Sequence, residues 1–286
     1  MKKTVYALAA VLAMASGVYL ASCSDDDDKD LPTPPLVTGN KVPRPAEVFP
    51  AGLPSDIGGA AITKDASGRV TTIVGGGRTI SFLYGADGTQ QGRSSEYDVL
   101  MTIREPGDDM EQYYMRLNGS GYVEYVLEME ADDGRPSADE WWFGYNADGQ
   151  LNYMKRTEGG NEVTEIEYAG GDIVSVTQKS GRETDKHIIS YTDAKVTSPM
   201  ENKGSVMLFD ECFGVDIDEL EMAYFAGLLG KAGKHLPVRC DEVGDNEYDT
   251  FEWTLNAAGM PTVVKSIEWS PSYPSGSYST VLTFTW

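Results

Sequence analysis

From Ala60 to Trp286 the chain alternates apolar and polar residues in short runs separated by turns. Val123, Tyr125, Leu127 and Met129 fall on one side of a run, and Glu124, Glu128 and Glu130 on the other. Thr164, Ile166 and Tyr168 likewise oppose Glu165 and Glu167. In the last run Tyr278, Thr280, Leu282, Phe284 and Trp286 share a face. Period-two alternation predicts half-buried strands, and such clean alternation favours antiparallel sheet with one wet face. Glu124, Glu128 and Glu130 are therefore expected on that wet face.

The turns repeat. Tyr84-Gly85-Ala86-Asp87-Gly88, Tyr145-Asn146-Ala147-Asp148-Gly149 and Leu255-Asn256-Ala257-Ala258-Gly259 share one design, and Asp65-Ala66-Ser67-Gly68 is a relative. An aromatic or apolar residue ends a strand, Asn or Asp starts the turn, and Gly supplies positive φ. Asn118-Gly119, Gly159-Gly160 and Gly170-Gly171 add further hairpin turns. Tyr145, Tyr168 and Tyr191 recur every 23 residues, about one hairpin per step. One segment breaks the pattern. Asp216-Ile217-Asp218-Glu219 has capping-box spacing, and Ile217, Leu220, Tyr224 and Leu228 form a helical stripe widened by Phe225 and Leu229. These signals predict an all-β, mainly antiparallel fold. It is a curled meander of repeated hairpins with one short α-helix, near residues 216 to 230, packed on the sheet.

The N-terminus is different in kind. Lys2 and Lys3 precede an apolar run to Leu20 that is too short for a spanning helix and has the layout of a secretory signal. It ends in Leu20-Ala21-Ser22-Cys23, which reads as a lipobox. Residues 1–22 are then a lipoprotein signal peptide, and acyl chains on Cys23 hold the mature protein to a membrane. Ser24 and the aspartates through Asp30 follow directly as an acidic tether. Seven of the 14 prolines fall between residues 31 and 54. That density predicts an extended, semi-rigid stalk, so residues 23–56 read as tether and stalk, and 57–286 as a single β-rich domain.

Two resemblances rest on these residues. The acidic run after Cys23 resembles the export signal of Bacteroidetes surface lipoproteins, which implies an outer-membrane anchor facing the cell exterior. The Tyr-x-x-x-Gly spacing is similar to the YD repeats of RHS-type shells. The whole plan resembles a Bacteroidetes lipoprotein family built around a β-rich domain of unknown function: lipobox, acidic tether, repeated hairpins, a helical insert, and the Gly259-Met260-Pro261 strand start. That family implies a fold and a location, not an activity.

Composition narrows the chemistry. The leader holds two of the 23 basic residues and no acids, which leaves 21 against 45 and a mature net charge of −24. Such a surface repels nucleic acid and anionic headgroups. Gly75-Gly76-Gly77-Arg78 lacks the Lys-Ser/Thr of a phosphate loop and reads as a wide hairpin turn. No Gly-x-Ser-x-Gly elbow occurs, and His187 and His235 are the only histidines. His187 reads as a surface residue of a strand. Cys212 and Cys240 are open to three readings: a disulfide in an oxidising compartment, two small buried hydrophobes, or a zinc site with His235, whose spacing fits no metal motif. No metal or cofactor is expected.

Carboxylate pairs are the one catalytic route left, and Glu140 beside Trp141-Trp142 is the most suggestive acid. Trp141, Trp142, Tyr113, Tyr114 and Trp269, with the Tyr273–Tyr278 loop, are candidates for stacking on sugar rings. Trp141 and Trp142 must point to opposite faces if they share a strand. The expected function is a non-enzymatic surface binding or structural module, with glycans as one ligand class. A carboxylate-dependent glycan hydrolase and an accessory subunit of an outer-membrane transporter are the alternatives.

Overall fold

A computed structural model describes residues 37–85, 97–107, 110–132, 135–157, 161–244, 246–273 and 276–286. The lipobox, Cys23, the acidic tether and Ala86–Gly88 lie outside the described residues. The strands run β1 Asp56–Ile57, β2 Ala60–Lys64, β3 Val70–Gly75, β4 Arg78–Tyr84, β5 Val99–Arg104 and β6 Glu111–Leu117. Then come β7 Val123–Asp132, β8 Arg135–Tyr145, β9 Leu151–Arg156, β10 Glu162–Ala169, β11 Asp172–Ser180 and β12 Glu183–Ser190. After these lie β13 Met200–Glu201, β14 His235–Leu236, β15 Arg239–Glu242, β16 Tyr248–Leu255, β17 Pro261–Trp269 and β18 Ser277–Thr285.

Every strand except β13 and β14 belongs to one closed barrel, each antiparallel to its chain neighbour. β1 closes it by pairing with β18 on one side and β2 on the other. The predicted hairpin meander is therefore present, and its sheet edge is paired rather than open, which removes the unpaired backbone groups of an edge strand. β13 and β14 form a separate two-stranded sheet.

One rim is built from a repeated five-residue turn. The side-chain Oδ1 of Asp65, Asn118, Asn146 and Asn256 accepts from the backbone N–H two and four residues on. In each copy the residue three places on is a glycine at φ +81° to +83° (Gly68, Gly121, Gly149, Gly259). A Cβ is disfavoured there, so the Asn/Asp…Gly spacing was a geometric requirement. Asn118, whose Asn118-Gly119 pair alone predicts a plain hairpin turn, belongs to the same class.

The same rim explains the spaced tyrosines. Tyr84, Tyr145, Tyr168 and Tyr191 donate their hydroxyls to the carbonyls of Val70, Val123, Leu151 and Ile173 at 2.7, 2.8, 2.8 and 3.0 Å. Each acceptor lies near the start of the preceding barrel strand. Trp253 and Trp286 donate from Nε1 to the carbonyls of Pro237 and Pro261 in the same manner. Burial raises the ionisation of Tyr145, Tyr168 and Tyr191 far above the ordinary phenol range, so these donors stay protonated.

The lumen is filled by chain. Between β12 and β15 the backbone turns inward, and Val206–Phe209, Cys212, Phe213, Val215, Ile217, Leu220 and Ala223–Leu229 are buried with the inward residues of the wall. The expected helix over 216–230 is only partly formed. A helix spans Phe209–Phe213, a 3₁₀ turn Asp218–Leu220 and a second helix Glu221–Phe225. The cap positions of the 3₁₀ turn and the second helix make no side-chain cap, and Asp216 and Asp218 turn instead to the Arg156 guanidinium at 3.0 and 2.6 Å. The buried stripe was read correctly, but it faces a surrounding wall rather than one sheet face. Enclosure on all sides lets a broken helix bury as much as a regular one.

Two further expectations change. Residues read as stalk behave differently from residue 37 onward: Val48 and Phe49 are buried, and Phe49 packs on Tyr224 and Phe225 of the plug at 5.2 and 6.3 Å. In β7 the apolar side is the outer one. Val126 and Glu128 face the lumen, where Glu128 accepts from Trp141 Nε1 at 2.7 Å. Tyr125, Leu127 and Met129 face outward against Tyr97, Tyr114 and Val37. A bulge between Arg116 and Leu117 shifts the register, so Val123 is also buried. Period-two alternation marks two faces without saying which is inside.

Candidate functional site

At the end of the barrel opposite the repeated turns, plug and wall separate around a cavity of about 330 Å³. Asp210, Gly214 and Asp216 line it from the plug. Gln178 of β11, Asp185 and His187 of β12, Cys240 and Glu242 of β15, Glu247 of the following turn, Tyr248 and Asp249 of β16 and Glu268 of β17 line it from the wall. The register explains the grouping: His187 pairs with Glu242, Cys240 with Asp249, and Gln178 with Asp185, so each pair projects to one face.

Seven of these side chains are carboxylates and none is Lys or Arg. Several are held in place. Asp216 takes Arg156 Nη2 at 3.0 Å, Glu268 takes the Tyr273 hydroxyl at 2.7 Å, and Glu247 accepts from Ser270 Oγ. Arg156 is the hinge pin of this end. Its guanidinium also reaches Asp218 at 2.6 Å and Glu162 at 3.3 Å, and lies 5.3 Å from the Trp141 ring centre. Arg78 makes a second tie between wall and plug through Glu105 and Glu219. In the plug, burial and the neighbouring Asp210 and Glu211 push the Glu221 carboxyl up to about 8, against the pull of the Phe209 N–H.

Beside the mouth lies an aromatic stack on the outer wall. Tyr248 and Trp269 are opposite each other in the register, with ring centres 5.2 Å apart and planes 16° from parallel. The Arg239 guanidinium sits 3.7 Å from the Tyr248 ring centre and is fixed by Asp241. The next residue beyond Trp269 in the register is the small Ser277.

The structure sorts the sequence candidates. Trp141 and Tyr113 point into the lumen and are fully enclosed, which removes them as platforms. Tyr114 points outward but lies under Tyr97 at 5.8 Å and is also buried. Trp142 points outward, as the alternation required, with Lys155 5.0 Å above it and Tyr125 edge-on. Trp142 and Trp269 keep partly accessible rings on different sides of the barrel, and in the Tyr273–Tyr278 loop Tyr273 is half-buried and Tyr278 exposed. Glu140 faces outward and accepts from the Tyr125 hydroxyl at 2.5 Å. Cys212 and Cys240 are both thiols and both buried. His235 is bonded to Asp172 at 2.7 Å, and among the described residues no group of three His, Cys, Asp or Glu side chains is placed to hold a metal. His187, read as a surface residue, instead lies in the lumen against Gly214. The cavity acids were not singled out. They come from six separated segments, and nothing local distinguishes them from the other acids of an acidic chain.

The outer wall is wet. Glu165 and Lys179 form an outward ion pair at 2.6 Å, and Glu252 stands opposite Lys265. The lumen, filled by the plug, is not an open channel.

Comparison with known proteins places this architecture. The family described as "Domain of unknown function (DUF4595) with porin-like fold" matches residues 74–263. A crystal structure of a porin-like protein from Bacteroides uniformis is similar in fold, with a TM-score of 0.56 and 16% identity over 79% of this chain and 88% of that one. No match was found among curated proteins. The likeness is in the path of the strands and fits an outer-membrane or surface module.

Proposed function

The chain belongs to the DUF4595 family, and from that premise we propose that it is a lipid-anchored, surface-displayed binding module without catalytic activity, whose site is the acid-lined cavity. The anchor is Cys23, and the ligand is a neutral or amine-bearing glycan. The observation that carries this reading is the conjunction of a half-open, carboxylate-lined cavity with the Trp269–Tyr248 stack beside it. Carboxylate oxygens accept hydrogen bonds from sugar hydroxyls, and a flat ring offers sugar C–H faces an apolar surface. Seven carboxylates also set the selectivity. They favour ammonium groups and repel uronic acids, sulfated glycans and phosphates.

A hydrolase would need two carboxyls flanking a bond, one kept protonated. Among the described residues the Glu221 carboxyl is raised to about 8, and Glu221 is not part of the cavity lining. The test is a glycan array probed with the mature chain, its Cys23 replaced by Ser. Binding confined to neutral or amino-sugar glycans, and lost in Trp269→Ala and Asp249→Asn, is expected. Silence across the array, or preference for anionic glycans, would overturn it.

A further inference from the structure

Beyond Cys23 the chain has two cysteines, and the fold brings both to one contact between plug and wall. Cys212 lies on the plug helix Phe209–Phe213, which packs against β15, the strand that carries Cys240. Cys240 is opposite Ile189 and shares its inward direction. Both residues belong to the same buried core. Gly214, two residues beyond Cys212, has φ +62° and lets the plug backbone rest on the His187 ring, where a Cβ would come within 2.7 Å. That close approach holds the helix to this stretch of wall. His187 Nδ1 is itself 3.8 Å from Cys240 Sγ.

We propose that Cys212 and Cys240 form a disulfide in the exported protein, a covalent staple between plug and barrel wall. The oxidant is a small-molecule or protein disulfide of the extracytoplasmic space. Before the plug is enclosed, the Cys240 thiol loses its proton to solvent, and the thiolate attacks one sulfur of the oxidant. The oxidant's S–S bond breaks and one thiol leaves. Cys212, deprotonated in turn, attacks Cys240 Sγ and expels the second thiol. Two protons and two electrons have then moved to the oxidant. Burial holds the Cys212 thiol well above its ordinary ionisation range, so the closed barrel is unreactive. The bond therefore forms while the chain is folding, and once closed over it resists reductant for the same reason. The staple fixes the plug edge that carries Asp210, Gly214 and Asp216, three residues of the cavity lining.

The test uses the full mature chain with Cys23→Ser, so that two thiols remain. It is refolded from denaturant either with reduced and oxidised glutathione or with dithiothreitol, then unfolded and alkylated. After the glutathione arm the expected result is a mass lower by two hydrogen atoms, no alkylation, and a linked peptide joining Cys212 to Cys240. The melting temperature should rise by about 10 °C over the dithiothreitol arm. A Cys212→Ala/Cys240→Ala chain should melt identically in both arms. Two alkyl groups per chain after glutathione refolding would overturn the proposal, whatever ligand the cavity binds. So would glutathione alone on either cysteine.

Discussion

Replacing Glu221 by Gln tests the electrostatics of the plug directly. Glu221 opens the helix Glu221–Phe225, and its carboxylate oxygen accepts from the Phe209 N–H at 3.3 Å. Burial and the acids nearby raise its folded pKa from 4.5 to about 8. The folded protein then binds one more proton than the unfolded chain between those values. That contribution to stability is complete below pH 4.5 and is lost as pH rises through 8. At 1.36 kcal/mol per unit the full shift corresponds to about 4–5 kcal/mol. Glu221 keeps part of its surface accessible, and water reaching it screens the effect, so about 2 kcal/mol is the working figure. Gln keeps an acceptor for the Phe209 N–H and has no proton to lose. Urea unfolding of both chains at pH 5, 6.5 and 8 gives the comparison. The difference between the two chains isolates Glu221 together with its coupled neighbours Asp210 and Glu211. Wild type should lose about 2 kcal/mol more than the variant between pH 5 and pH 8. Parallel pH profiles, or a variant less stable than wild type at pH 8, would refute the reasoning.

Arg156→Met should destabilise by about 3–5 kcal/mol in the same assay, because Glu162, Asp216 and Asp218 lose the cation they share. Tyr168→Phe leaves the Leu151 carbonyl without its donor and should cost about 1–2 kcal/mol, read as a lower urea midpoint with unchanged m-value.

Much of the fold was legible because it rests on local rules. Period-two runs form strands, and an Asn or Asp followed three residues later by Gly forms the rim turn, since side-chain acceptor and backbone φ are both set within five residues. The spaced Tyr145, Tyr168 and Tyr191 signalled the hairpin step, although their bonds to carbonyls across the sheet could be seen only once the strands were paired. The site was not legible. Asp185, His187, Asp210, Glu242, Asp249 and Glu268 meet only because barrel closure and the inward turn after β12 bring distant segments to one mouth.

Sequence by itself thus determined strand identity, turn chemistry, the buried stripe through Ile217, Leu220 and Tyr224, and the acidic charge. Tertiary structure alone decided which side of each strand faces inward, that the sheet closes, and that the stripe becomes the filling of a lumen. Alternation has a period but no sign, and Glu128 inside with Tyr125 outside shows the consequence. The sign is set by what the opposite wall and the plug supply to each side chain. Those partners lie many residues away, where no local pattern reaches.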